Sequence, residues 1–398
     1  MKAKLVLMQS RIKTFLKSRF LIYLLLVVFV GAIGISSYFF FIEKPQLDNK
    51  LLISEKILTS LQKELTTLKN EDQYRVNQEL KEKIKKSENT YLQAISSYEK
   101  IVDLRTQKQD TKELDTLLAE ALGNLSKLNY ASAQAQLIDL DSKIDKLETT
   151  VAQKAAPSQA AVTVSNTAPG SGYSYQAVKT DAGTFNVALV AADLSNTRVI
   201  VDTASDSDCS NNCPTLPLAT YVARSGAFAG INGPFFCPAE YPTCAGKTNS
   251  FDTLLMNKNK YYFNSSNNVY STVPLVYFSG NSMGVRGQSL DWGRDTGVDS
   301  VIANYPLYIS GGNNNFGGSS DPKINSVGAR TFIANKGSTA YIGIIYNASS
   351  ANAALVLKTL GMDNALGLDQ GGSTALWHGG YKAGPGRSLP SAILFVRK

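Results

Sequence analysis

The stretch Ala365-Leu-Gly-Leu-Asp-Gln-Gly-Gly-Ser-Thr-Ala-Leu376 puts an apolar run, a carboxylate and a pair of glycines in direct succession. The residues up to Leu368 read as a buried strand, Gly371 and Gly372 turn the chain, and Ala375 and Leu376 open a second apolar run. Asp369 therefore stands at a strand end, beside backbone that a ligand can approach closely. Successive N–H groups in such a turn can form an anion-binding nest. A plain turn with a capping aspartate gives the same pattern. The stretch has no Gly-Lys-Ser/Thr of a Walker loop, and it is not a Gly-x-Ser-x-Gly nucleophile elbow.

Outward from this stretch, Tyr173 to Lys398 is rich in Gly, Asn, Ser and Tyr. Short β-type runs recur at 184–193, 197–202, 227–231, 274–278, 331–335, 340–345 and 392–396, bounded by turn residues. Helices are expected at 216–225 and 351–360, the second ended by Gly361 as a C-cap. The segment is long enough to bury its own core. The class it predicts is α+β with mixed sheets.

Two further segments carry groups suited to chemistry. In Ala229-Gly-Ile-Asn-Gly-Pro-Phe-Phe236, an apolar strand runs into Asn232 and Gly233. Asn232 could offer an amide to a ligand there, or the pair could be a plain turn. In Gly328-Ala-Arg-Thr331, Arg330 precedes an apolar strand with no acid beside it. A guanidinium fork suits carboxylate or phosphate, and a structural salt bridge is the other reading. The chain has one histidine, His378, so a Ser-His-Asp triad or a multi-histidine metal site would rest on that residue alone. His378 follows the Asp369 turn closely enough to line the same cleft; an exposed loop histidine fits the sequence as well.

Together these segments resemble the phosphodiester glycosidase family. That family carries an Asn-Gly-Gly-Phe-Phe-like motif, an Arg-Thr-Ala-like motif and a Leu-Asp-Gly-Gly-Gly-Ser-like motif, in that order. Here they stand as Asn232-Gly233-Pro234-Phe235-Phe236, Arg330-Thr331-Phe332 and Leu368-Asp369-Gln370-Gly371-Gly372-Ser373. Between the first two, the segment from Asn304 to Gly312 is similar to the family's Gly-Pro-x-Leu segment. The resemblance covers essentially Tyr173 to the C-terminus. Three positions depart from it: Pro234, Gln370 and Phe332. None of these deletes a charged group.

The resemblance implies hydrolysis of a sugar-1-phosphodiester at its glycosidic bond. It names Asp369, Arg330 and Asn232 as the catalytic set. Gly233, Phe236, Thr331, Gln370, Gly371, Gly372, Ser373 and His378 are the expected substrate contacts. Arg330 and the Gly371 and Gly372 amides would hold the anion, and Asp369 would activate water or stabilise an oxocarbenium-like centre. Asp252 and Asp321 are the candidates for a second carboxylate. The motifs name no certain cofactor and no metal site; a divalent cation held by Asp369 is compatible with them. The rival reading is a non-catalytic module that binds a glycan or cell-wall polymer, with Phe236, Tyr241 and Trp377 as platforms. A third is an adhesion or scaffold protein whose working part is its helical region.

Ahead of this domain lies a different kind of sequence. Residues 20–42 form an uncharged run of about 23 residues, or ~34 Å of helix, enough to span a ~30 Å hydrocarbon core. It is longer than a signal peptide's apolar region and ends in bulky aromatics, which favours an uncleaved transmembrane helix. Lys2, Lys4, Arg11, Lys13, Lys17 and Arg19 precede it with no acid among them. This basic leader, 1–19, predicts a cytoplasmic N-terminus and an extracytoplasmic C-terminal domain. The net charge of +8 therefore points to topology and not to nucleic acid.

Residues 46–153 are rich in Leu, Lys, Glu and Gln, with apolar positions at steps of three and four. They predict three or four helices in hairpins or a coiled-coil stalk, with breaks near 70–73 and 105–111. A homo-oligomer could form through the apolar seam. The acids of this stalk read as a solvated face. A flexible linker is expected at 154–172. The four cysteines, Cys209, Cys213, Cys237 and Cys244, cluster in the exported part, where disulfides are favoured over a tetrahedral zinc site. Pairing Cys209 with Cys213 and Cys237 with Cys244 is the simplest of three connectivities.

Overall fold

The computed structural model describes residues 23–155, 162–319 and 321–398. The basic leader 1–19, the start of the expected span at 20–22, and residues 156–161 of the expected linker lie outside the described residues. The chain divides into two compact units, Met1–Lys85 and Lys86–Lys398.

In the first unit, helix α1 (Tyr23–Asn70) begins with an apolar stretch. Among the described residues it is the one helix long and apolar enough to cross a membrane. Its Lys44–Asn70 part buries no side chain, and Leu58, Leu61, Leu65 and Leu68 are all exposed. Helix α2 (Asp72–Thr106) starts after a break at Glu71, inside the expected 70–73 turn.

The second unit opens with the end of α2, then α3 (Lys112–Ser126) and α4 (Tyr130–Ala155). Ile101 and Leu104 of α2, Leu114, Leu118 and Leu125 of α3, and Leu137, Leu140 and Ile144 of α4 form one core. Their spacing of three and four keeps each set on one helix face. Each buried side chain of this size contributes roughly 1.5–3 kcal/mol.

The remainder is β-rich. The strands are β1 (Gly172–Thr180), β2 (Gly183–Asp193), β3 (Thr197–Thr203), β4 (Ala229–Asn232), β5 (Leu255–Met256), β6 (Tyr262–Phe263), β7 (Leu275–Ser279), β8 (Ser282–Arg286), β9 (Ser300–Ala303), β10 (Leu307–Ser310), β11 (Asn313–Asn314), β12 (Gly328–Lys336), β13 (Thr339–Ala348), β14 (Asn364–Gly367), β15 (Leu376–His378), β16 (Tyr381–Ala383) and β17 (Ser391–Arg397). They form a seven-stranded sheet in the order β1-β2-β13-β12-β14-β10-β11 and a five-stranded sheet, β16-β15-β4-β17-β3. A third sheet has the order β6-β5-β9-β7-β8.

Every pairing between these strands is antiparallel. The expectation of mixed sheets is corrected on this point. Runs such as β1–β2, β7–β8 and β12–β13 are joined by tight turns, which reverse the chain and give antiparallel neighbours.

Period-two alternation explains the layering. In β2, Ala188 and Val190 enter the central core while Val187, Leu189 and Ala191 enter a second core. That second core is covered by helix α6 (Ser350–Thr359) through Val356 and Leu357. Strand β17 splits likewise. Ile393 and Phe395 face the central core, and Leu394 and Val396 face helix α5 (Leu218–Ser225). Two sheets thus share a core and each carries a helix on its outer side.

Residues 163–167 of the expected linker run beside β1. The Ser165 N–H donates to the Ala177 carbonyl at 2.8 Å, and the Gln176 side chain donates to the carbonyls of Ser165 and Thr167. Their backbone groups find partners there, which a solvated linker would not supply.

Candidate active site

The Asp369 turn occupies the crossing between two sheets. Strand β14 ends at Gly367 in the seven-stranded sheet, and β15 begins at Leu376 in the five-stranded one. The two earlier motifs meet it there. The Asp369 N–H donates to the Gly233 carbonyl at 3.2 Å, and the Leu368 N–H donates to the Thr331 carbonyl at 3.0 Å. The Asp369 carbonyl accepts from the Asn232 amide at 2.8 Å and from the Thr331 hydroxyl. Asn232 Oδ1 accepts from the Ala375 N–H at 3.2 Å. Motifs far apart in sequence therefore fix one peptide from both sides.

Asn304 adds a clamp. Its Oδ1 accepts from the Phe235 N–H at 3.1 Å, and its Nδ2 donates to the Gly367 carbonyl at 2.8 Å. Gly233 has no room for a side chain, because a Cβ there would strike Ser391. Phe332, one of the departures from the family pattern, is fully buried opposite Gly343, where a Cβ would lie only 2.7 Å from its ring. The missing side chain on β13 makes space for the large one on β12.

Asp369 faces a cavity of about 800 Å³. Arg330, Phe236, Gln370, Gly371, Gly372 and Ser373 line the same cavity, as do Asp252 and Asp321. Asn232, Gly233 and Thr331 stand behind Asp369 and do not line it. His378 also lies away from the cavity, with its ring stacked on Tyr173 at 6.4 Å. Tyr241 lines the cavity, whereas Trp377 packs edge-on against Tyr381 in the core beneath helix α5.

The electrostatics separate the two arginines. Arg330 is buried, and its guanidinium donates to the carbonyls of Ala348, Ser326 and Lys323. Burial lowers its pKa from the ordinary arginine value. Its donors serve backbone carbonyls. Arg387, which lies outside all three motifs, lines the same cavity as Asp369, and its charge acts on that carboxyl. Burial opposes its charge, but Asp103, Tyr241, Asp369 and Glu240 around it raise its pKa overall.

Burial pushes the Asp369 carboxyl up to about 7, against the hydrogen bonds from Ser373 and the Gln370 N–H and the charge of Arg387. Asp252 is also raised by burial, which outweighs the nearby Lys247. A carboxyl titrating near neutrality can take or give a proton at physiological pH.

The helical segment contributes to this cavity too. Glu99, Asp103 and Glu148 all line it. The reading of the stalk acids as a solvated face fails for these three. Glu99 and Asp103 are buried, Glu99 pairing with Lys323 and accepting from Thr243 at 2.6 Å. Burial raises Glu148 to about 7. Helical periodicity identifies the face of an amphipathic helix but not the charged groups of a distant strand or loop that will meet it.

The disulfides are Cys209–Cys213 and Cys237–Cys244, the simplest connectivity. The second closes the loop that carries Tyr241 into the cavity. Among the described residues, no group of three or more His, Cys, Asp or Glu side chains is placed to hold a metal.

Residues 225–396 match the phosphodiester glycosidase family. The resemblance drawn from the three motifs is borne out by that match. Among solved structures, the chain is similar to a hypothetical protein from Synechocystis, at 16% identity and a TM-score of 0.40. That alignment covers 56% of this chain and 62% of the other. It is also similar to the catalytic domain of zebrafish N-acetylglucosamine-1-phosphodiester alpha-N-acetylglucosaminidase auto-inhibited by its pro-peptide, at 12% identity and a TM-score of 0.45. There the coverage is 60% of this chain and 87% of the other. No curated protein sequence matches the chain.

Proposed function

We propose that the protein is a hydrolase that cleaves the glycosidic bond of sugar-1-phosphodiesters on a surface or envelope glycan. The observation that carries this reading is the convergence of the three family motifs on the Asp369 peptide, with the Asp369 carboxyl in a deep cavity that also holds Arg387. In this reading Asp369 takes a proton from water as the water oxygen bonds to the anomeric carbon. The bond from that carbon to the phosphate oxygen breaks, and its electron pair leaves with the phosphomonoester. Phosphate is a good leaving group, so the demand on a general acid is small. Asn232 and Thr331 act by holding the Asp369 main chain. Arg330 acts by holding the 323–326 wall of the cavity.

The test is release of free sugar from a synthetic sugar-1-phosphodiester by the purified protein. Asp369→Asn should abolish release while leaving binding intact. Binding without release by the unaltered protein would replace the enzyme with a glycan-binding module.

The apolar start of α1 and the two disulfides support a membrane-anchored protein whose C-terminal domain lies outside the cytoplasm. The unburied Leu58–Leu68 seam supports self-association through α1. Protease added to intact cells should remove the C-terminal domain; complete protection would overturn this topology.

A further inference from the structure

The cation-bearing wall of the cavity is already engaged by a carboxylate from the same chain. Asp103, near the end of α2, accepts from Arg387 Nη2 at one oxygen and from the Tyr241 hydroxyl at the other, at 2.8 Å. The Gly372 N–H lies close enough to favour its charged form. Tyr241 itself lies against two cations, with the Arg387 guanidinium 5.2 Å and the Lys323 ammonium 4.5 Å from its ring centre. A guanidinium, a phenol and a glycine N–H aimed at one point form the donor set of an oxyanion receptor.

Two observations separate this from an ordinary ion pair between packed elements. Arg387 is only 8% exposed, yet its Nε and Nη1 have no hydrogen-bond acceptor among the described residues. The nearest other acid, Glu240, is 3.7 Å from Nη1. A buried fork with idle donors is costly unless something else uses them. The turn is also shaped around this point. A Cβ on Gly371 would strike the Asp103 carboxylate, and one on Gly372 would strike the Arg387 guanidinium.

We propose that Arg387, Tyr241 and the Gly372 N–H form the anion subsite for the substrate's phosphodiester, and that Asp103 is an internal occupant which that group must displace. This rests on the glycosidase reading given above. The subsite adjoins Asp369, so an anion held there sets the anomeric carbon toward the carboxyl. The helical segment then restrains the site, since the phosphodiester competes with a carboxylate carried by the chain itself.

The test uses the full-length protein in detergent and inorganic phosphate as the probe, by titration calorimetry. Asp103→Asn keeps the side-chain shape and removes the competing charge. It should bind phosphate about tenfold or more tightly than the unaltered protein, because the competent state is no longer rare. Adding Arg387→Gln to it should abolish that gain. Asp103→Ser is the second variant, should the asparagine loosen the helices, and the same gain is expected. No gain in phosphate binding from either folded variant would overturn the proposal, even if the protein hydrolyses phosphodiesters. The predicted binding pattern without hydrolysis by any variant would uphold the subsite and remove the glycosidase reading.

Discussion

The Asn232 amide donates to the Asp369 carbonyl at 2.8 Å, so the first family motif holds the third through its main chain. Asn232 is fully buried, and its oxygen is also used, by the Ala375 N–H. It positions the carboxylate without facing the cavity.

Asn232→Ala leaves the Asp369 carbonyl one donor short and the Ala375 N–H without its side-chain acceptor. We expect a loss of about 1–3 kcal/mol of stability, read by urea denaturation. In the hydrolase assay kcat should fall with little change in KM, since the substrate loses no contact. A large rise in KM at constant kcat would instead make Asn232 a substrate ligand.

Burial holds Asp369 near 7, and a base must be ionised to act. Activity should therefore rise with pH through about 7 and level off above it. The stability change has the opposite sign. Asp369 and Glu148, both raised to about 7, keep protons in the folded chain that the unfolded chain has already lost. The folded state binds more protons between about pH 4 and pH 7, so stability should decline as pH rises through that window. Asp369→Asn should flatten part of that decline. A melting temperature that climbs across the window would contradict the sign.

Arg330 donates to three backbone carbonyls. Arg330→Met should cost roughly 3 kcal/mol or more by orphaning them, and Arg330→Lys should recover only part of this. Both should lower the melting temperature while leaving phosphate affinity unchanged in whatever fraction folds. Folded Arg330→Met that no longer binds phosphate would transfer the anion role to Arg330.

The Cys237–Cys244 bridge closes the loop bearing Tyr241. Replacing both cysteines by serine should lower stability by about 2 kcal/mol, the expectation for a short closed loop. Hydrolysis should fall further than the loss of folded protein accounts for, since the loop carries a cavity wall. The equivalent change at Cys209 and Cys213 should leave kcat and KM unaltered, because neither residue lines the cavity.

By itself the sequence determined the local order of this protein. Apolar alternation places β2, β12, β13 and β17 to within a few residues, because a half-buried strand must alternate. Gly361, at φ +74°, ends the helix before β14 where a left-handed cap is expected. The cysteine spacing allowed the observed bridges, and the motif order carried the family resemblance. Tertiary structure decided which charges meet. Arg330 stands in a motif but serves backbone carbonyls, while Arg387 stands in none and lines the cavity with Asp369. Asp103 lies on a helix whose periodicity marks its acids for solvent, yet it is bound at a turn more than two hundred residues away. Periodicity arises from neighbours along the chain and can be read from it. An electrostatic site arises from long-range contacts, and those exist only once the sheets and helices have packed.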